Sequence, residues 1–213
     1  MPPQAWDIIP FNSQGSEIMS TLCFGGSFNP IHHGHLICAR AVAEQIGCRQ
    51  IVLIPSARPP HKPDQVDMAS PEQRLAMCAA AIRNDGLFSI DDIEMRQPGP
   101  SYTLNTVRLL RRRGLDPIRW LIGADMLNYL PKWHQPLALL QEVEFAVMAR
   151  PGFEFEWAAL PAEYHPLRQK VVQAPVIDIS STEIRRRIRA GRPIHYLTPA
   201  PVADYIHHHR LYL

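Results

Sequence analysis

Short apolar runs alternate with amphipathic stretches along most of the chain, and the two periods predict strands and helices in turn. Thr21–Phe24 (TLCF), Gln50–Ile54 (QIVLI), Leu87–Ile93 (LFSIDDI), Ile118–Ile122 (IRWLI) and Val143–Ala149 (VEFAVMA) read as strands. Lys170–Gln173 and Val176–Ile179 read as a last strand region. His35–Ile46 has helical spacing and stops at Gly47, a residue suited to the position after a helix. Ser70-Pro71-Glu72-Gln73 opens another helix, with Ser at the N-cap and Gln placed to close a capping box. Thr103–Arg113 ends at Gly114, Ser180–Ala190 ends at Gly191, and Pro199–Arg210 closes the chain as a helix. Ala57–Met68 is too rich in proline for regular structure and is expected to be an exposed loop; residues 153–169 read as irregular.

Strands alternating with helices predict an α/β fold with a mainly parallel sheet and helices on both faces. There is no internal repeat or low-complexity linker, so residues 21–213 are expected to form a single domain. Residues 1–20 lack a basic segment followed by an apolar one and are expected to be a disordered leader, not a secretory signal. With 213 residues, 46% of them hydrophobic, the chain can bury a real core.

Charge and cysteine narrow the classes. Against 20 acidic residues stand 22 basic ones, too even a balance for a protein that grips nucleic acid by its backbone. The runs Arg111–Arg113 and Arg185–Arg187 fall late in predicted helices, where they complement the helix dipole. No apolar stretch approaches the roughly 18 residues of a membrane span. The four cysteines show no C-x-x-C spacing and read as reduced thiols, which points to the cytoplasm. His207–His209 continue a helical pattern and are taken as native surface.

The chemistry concentrates after the first strand, in GGSFNPIHHGH (25–35). In a parallel sheet this is where ligands bind. Gly25 and Gly26 would let backbone approach a phosphate, and Gly34 removes a side chain where a ligand could pack. His32 and His35 are three apart, so they share a face at the first turn of a helix, whose N–H groups favour an anion. A nearby phosphate would raise their pKa from about 6.5 and make them better donors. His33 between them is expected to point elsewhere. A metal site lacks neighbouring Cys or carboxylate ligands, and the glycines match neither a dinucleotide fingerprint nor a Walker loop. Phosphate handling fits better than a metal site or a simple glycine turn.

His32-His33-Gly34-His35 resembles the H-x-G-H signature of the nucleotidyltransferase superfamily. Ile179-Ser180-Ser181-Thr182-Glu183-Ile184-Arg185 is similar to that superfamily's second signature, which binds ATP phosphates. Ser180 and Glu183 are also an ordinary capping pair, useful for helix stability alone. Pro59-Pro60-His61-Lys62, Ser101-Tyr102-Thr103, Ile122-Gly123-Ala124-Asp125, Trp133 and the ending with Pro201, Tyr205, Ile206, Leu211 and Tyr212 resemble the bacterial nicotinate-nucleotide adenylyltransferases. The resemblance spans roughly residues 20 to 213.

It implies a Rossmann-like, nucleotidyltransferase-type fold and transfer of AMP from ATP to nicotinate mononucleotide, giving deamido-NAD and pyrophosphate. It implies Mg2+ carried on ATP, with no metal held by protein ligands. By resemblance His32, His35 and Arg185 are catalytic. Gly25, Gly26, Ser27, Phe28, His32, His35, Gly123, Asp125, Ile179, Ser180, Ser181, Thr182 and Arg185 would bind ATP. Ser27, Asn29, Lys62, Tyr102, Thr103 and Trp133 would bind the mononucleotide. Trp133 would stack on the pyridine ring, though a half-buried structural tryptophan reads the same; Asp125 would hold a ribose or cap a helix. Many relatives have Asp where this chain has Asn29. Alternatives are another acceptor, such as nicotinamide mononucleotide or phosphopantetheine, and a nucleotide-binding regulator without catalysis. A synthetase-like RNA binder does not fit the low net charge.

Overall fold

The strands β1 (Thr21–Gly26), β2 (Gln50–Pro55), β3 (Phe88–Ile90), β4 (Ile118–Gly123), β5 (Glu144–Ala149) and β6 (Val171–Gln173) lie side by side in the order β3-β2-β1-β4-β5-β6. Every neighbouring pair is parallel. The computed structural model describes residues 20–60, 67–150 and 152–213. The expected leader, apart from Ser20, and the loop residues His61 and Lys62 lie outside the described residues.

Helices α1 (His33–Gln45), α2 (Pro71–Ile82), α3 (Thr103–Arg112), α4 (Pro136–Glu142), α5 (Ser181–Arg189) and α6 (Ala200–His208) cover the sheet. The two-residue alternation of the strands divides the core between two faces. Leu22, Phe24, Ile51 and Leu53 join Val42 of α1, Met77 of α2, Ile184 of α5 and Ile206 of α6 on one side. Cys23, Val52, Ile54 and Trp120 join Val107 of α3 and Leu139 of α4 on the other. Strands buried on both faces need apolar residues at nearly every position, which is why Ile51–Ile54 is an unbroken run.

The chain steps outward from β1 through β2 to β3, then returns to set β4 on the other side of β1. Connections leave the ends of β1 and β4 in opposite directions, opening a crevice there. This is the Rossmann-like α/β architecture that the sequence predicts. Among the described residues no helix is long and apolar enough to cross a membrane.

Several elements differ from expectation. The strand expected over Leu87–Ile93 stops at Ile90, because the Asp91 carboxylate accepts from the Ile93 N–H (2.8 Å) and turns the chain. The last strand region contains only Val171–Gln173: the Ala174 N–H still reaches Ala149 O (2.8 Å), but Pro175 has no N–H to extend the ladder. Helix α4, over a stretch given no helix by the sequence, is seven residues long and begins at Pro136. The capping box at α2 forms as predicted, with Ser70 Oγ accepting from Gln73 N–H (3.2 Å) and Gln73 Oε1 from Ser70 N–H (2.9 Å).

Candidate active site

β1 runs into the loop of residues 25–32, and the two glycines at its head lie against aromatic side chains. A Cβ on Gly25 would stand 2.6 Å from the Trp120 indole, and one on Gly26 3.1 Å from the Phe28 ring. Both glycines make room for aromatic side chains, and neither needs a positive φ. The left-handed residue of this loop is the buried Phe28, at φ 45. Its ring meets Phe24 edge-on at 5.3 Å and His35 edge-on at 5.2 Å, so the strained residue sets the wall against which His35 rests.

α1 starts two residues earlier than predicted, which makes His32 its N-cap and puts His35 in its first turn. The two imidazoles stack, centroids 3.7 Å apart and 26° from parallel. The His32 backbone N–H donates to His35 Nδ1 (3.2 Å), which leaves the neutral His35 ring its proton on Nε2. His32 is 5% exposed, and burial, aided by the charge of His33, lowers its pKa to about 4. The ring is therefore neutral near pH 7, and any charging by phosphate starts from well below the ordinary histidine value. Its Nδ1 is buried without a hydrogen-bond partner among the described residues. That nitrogen lies 3.0 Å from where a Cβ on Gly34 would be, so Gly34 clears space for the His32 ring. His33 is only partly buried; its backbone N–H bonds Leu197 O (3.1 Å).

Residues from the far end of the chain hold this loop. Ser181 Oγ donates to Pro30 O, Thr198 Oγ1 to Ile31 O and Arg185 Nη1 to Asn29 O, each at 2.8 Å. Asn29 is 2% exposed, and its side chain is engaged inside the protein. Nδ2 donates to Asp67 O (3.0 Å), while Oδ1 accepts from Ala69 N–H (3.0 Å) and Tyr212 O–H (2.8 Å). At α5, Ser180 Oγ accepts from Glu183 N–H (3.1 Å), but the Glu183 carboxylate turns to Arg186 (2.7 Å), so only half of the expected capping box is made.

Two cavities open beyond the strand ends. The first, about 590 Å³, is walled by Gly25–Phe28, Ser101–Thr103 and Lys132–His134, with Glu94 at its base. Tyr102 and His134 stack across it at 4.2 Å and 18°, beside a half-buried Trp133. Glu94 accepts from Thr106 Oγ1 (2.7 Å), and burial raises its pKa. The second, about 510 Å³, is bounded by His32, Gly34, Asp125, Arg150, Phe153 and Ile179. His35 and Gly123 border both. Asp125 is exposed, in the short turn Ala124–Met126 after β4, where Gly123 and not Asp125 is the N-cap. A Cβ on Gly123 would run into the Asp125 carboxylate.

Of the expected site residues, the structure brings Gly25, Gly26, Ser27, Phe28, His32, His35, Tyr102, Thr103, Gly123, Asp125, Trp133 and Ile179 to the two cavities. Asn29, Ser180, Ser181, Thr182 and Arg185 line neither; Asn29, Ser181 and Arg185 are bonded within the loop clamp. Sequence reading missed Glu94, Lys132, His134 and Arg150. Arg150 follows β5, and the rule that ligands sit beyond strand ends would have found it.

The fold and the paired cavities are those of a nucleotide-binding transferase, and the family model described as cytidylyltransferase-like matches residues 23–187. Over 192 residues the chain is 42% identical to a probable nicotinate-nucleotide adenylyltransferase of Herpetosiphon aurantiacus, spanning 89% of this chain and 96% of that one. It is 38% identical over 190 residues to the nicotinate-nucleotide adenylyltransferase of Bacillus subtilis, again spanning 89% and 96%. Plasmodium falciparum nicotinic acid mononucleotide adenylyltransferase, solved with NaAD, shares the fold with a TM-score of 0.69 at 17% identity, over 91% of this chain and 97% of that one. The chain belongs to the nicotinate-nucleotide adenylyltransferase family, within the cytidylyltransferase-like group.

Proposed function

We propose that this protein transfers the AMP part of ATP to nicotinate mononucleotide, forming deamido-NAD and pyrophosphate in the cytoplasm as a step of NAD biosynthesis. The observation that carries the reading is the meeting of two nucleotide-sized cavities at His35 and Gly123. Four buried, unpaired cysteines suit a reducing compartment.

The mononucleotide fits the cavity of Tyr102, Thr103 and Trp133, where aromatic rings can stack on pyridine. α3 begins at Thr103 with no side-chain N-cap hydrogen bond, so its first-turn N–H groups are available to a carboxylate. A carboxamide would use those donors poorly, which favours the acid. The adenosine of ATP fits the second cavity, beside Phe153, Ile179 and Arg150.

An oxygen of the mononucleotide phosphate attacks the α-phosphorus of ATP. The new O–P bond forms as the bond to the bridging oxygen breaks, and pyrophosphate leaves with that electron pair. The attacking phosphate is mostly dianionic because its second pKa is about 6, so no general base is needed. Catalysis then consists of alignment and of donors aimed at the phosphate oxygens. The His35 Nε2–H and the N-terminal end of α1 supply such donors, and His32 gains a proton more readily once an anion is beside it. Arg185 Nη1 holds Asn29 O and so places the loop that leads into His32. Lys62 would supply a further cation.

Among the described residues no group of three or more His, Cys, Asp or Glu is arranged to hold a metal ion. Mg2+ would arrive on the triphosphate, where it would neutralise phosphate charge. The test is pyrophosphate release with ATP and each of nicotinate mononucleotide, nicotinamide mononucleotide and phosphopantetheine. Turnover on phosphopantetheine alone would sink the substrate assignment; ATP binding without turnover on any acceptor would favour a regulator.

A further inference from the structure

Among the described residues, the largest fully buried side chain carries a charge. Arg74, one turn into α2, has no exposed surface. Its Nε donates to Ala69 O (3.0 Å), Nη1 to Ser27 O (2.7 Å) and Nη2 to Ala57 O (3.2 Å). Ser27 belongs to the loop after β1 and Ala57 to the loop after β2. Ser27 and Ser56, the neighbour of Ala57, both line the first cavity. A single guanidinium therefore joins the two loops that make one wall of the cleft, reaching through a peptide unit from behind.

Each of its three nitrogens donates to a neutral carbonyl, and none of these carbonyls balances its charge. Burial is the main influence on Arg74 and lowers its pKa, while the fields of Cys78, Tyr212, Glu72 and Glu94 act the other way. Neither carboxylate is an ion-pair partner: Glu72 is exposed and accepts from Ser70 Oγ (2.7 Å), and Glu94 accepts from Thr106 Oγ1 (2.7 Å). A guanidinium stays protonated in such surroundings. Leaving a buried charge without a counter-ion is costly, so its persistence calls for an anion nearby. The bond to Ser27 O also polarises the Ser27–Phe28 peptide at the cavity wall.

We propose that Arg74 is a positioning residue that locks the Ser27 and Ala57 loops together and keeps a positive charge behind the cavity wall, balanced by the phosphates of the bound nucleotide. The inference rests on the cleft binding phosphate and deepens the reading above, but it does not depend on which acceptor is used.

The test compares wild type with Arg74→Lys, which keeps the charge but loses the fork, and Arg74→Met, which loses both. Two quantities are read: the rise in melting temperature caused by inorganic pyrophosphate or ATP, and kcat and KM for the full reaction. Arg74→Met is expected to lose most of the pyrophosphate-induced rise and about 100-fold in kcat/KM. Arg74→Lys should keep most of that rise yet lose about tenfold in kcat, because one ammonium cannot hold three carbonyls in the guanidinium's geometry. A merely structural role would lower the unliganded melting temperature of both variants and leave the ligand-induced rise unchanged. A wild-type-sized rise in Arg74→Met overturns the counter-ion role, and Arg74→Lys turnover at the wild-type level overturns the positioning role. If Arg74→Met does not fold, Arg74→Lys decides: loss of its pyrophosphate response contradicts the proposal. Wild-type protein that binds pyrophosphate but adenylylates a different acceptor would refute the proposed function and leave this inference standing.

Discussion

Arg185 and Asn29 stand 156 positions apart in sequence and meet in the fold, the guanidinium donating to the Asn29 carbonyl at 2.8 Å. The next two carbonyls, of Pro30 and Ile31, accept from Ser181 and Thr198 at the same distance. Three successive peptide units before His32 are thus fixed by the C-terminal part of the chain. The two sequence signatures are joined by backbone contacts as well as by any ligand they share.

Replacing Arg185 with Ala should therefore affect both stability and rate. The Asn29 carbonyl loses a charged donor, at a cost of about 1–3 kcal/mol in unfolding free energy. Looser placement of the histidines should lower kcat by about 100-fold. Urea unfolding and pyrophosphate-release kinetics check the two halves. Unchanged stability with reduced kcat would make the residue a phosphate contact alone.

His32 gives a pH dependence whose sign follows from its depressed pKa. Folded, it titrates at about 4, and unfolded at about 6.5. Between those values the unfolded chain binds more protons, so stability rises with pH across the window and is complete above it. As pH falls through the window, up to about 3 kcal/mol should be lost. Unfolding midpoints of wild type and His32→Gln, compared from pH 7 to pH 4, isolate this contribution: the difference between them should shrink or reverse toward acid pH. A difference constant with pH would show that the ring titrates normally.

Asn29→Asp tests what the amide contributes in this chain. A carboxylate keeps both accepted bonds but cannot donate to Asp67 O, and it places charge at a site that is 2% exposed. A loss of about 1–3 kcal/mol is expected at pH 7, and less at acid pH, where the protonated acid regains a donor. Equal stability at pH 7 would mean that the Asp67 contact is dispensable.

The strand and helix order was legible because parallel strands buried on both faces must be apolar runs, as at Ile51–Ile54, and because Ser70 and Gly47 mark helix ends by local chemistry. The place of the cleft followed from the loop after β1. What escaped depends on contacts between distant segments. Nothing local to Gly25 predicts that its space belongs to Trp120, and nothing near Asn29 predicts Tyr212 as its partner. Arg150, by contrast, directly follows a strand that the sequence predicts, and its place beyond that strand end was open to inference. The strand after Leu87 was overread because the Asp91 side chain, a polar turn-former inside an apolar run, redirects the backbone.

Gly25→Ala follows from the first of these contacts. The added methyl would press on the Trp120 indole, which is 2% exposed and has little room to move. Overpacking there should cost about 1–3 kcal/mol. Paired with Trp120→Phe, the same substitution should be much less harmful, and a double-mutant cycle in urea reads the difference. Additive effects would contradict the packing account.

His35 and Gly123 border both cavities, and in the proposed reaction His35 is the side chain that meets the reacting phosphates. The most direct measurement is the rate of pyrophosphate release by His35→Ala with ATP and nicotinate mononucleotide both saturating, alongside its melting temperature. A loss of about 100- to 1000-fold in kcat is predicted. The melting temperature should change little, because the ring is partly exposed. Turnover within about twofold of wild type would remove His35 from the chemistry and contradict the account.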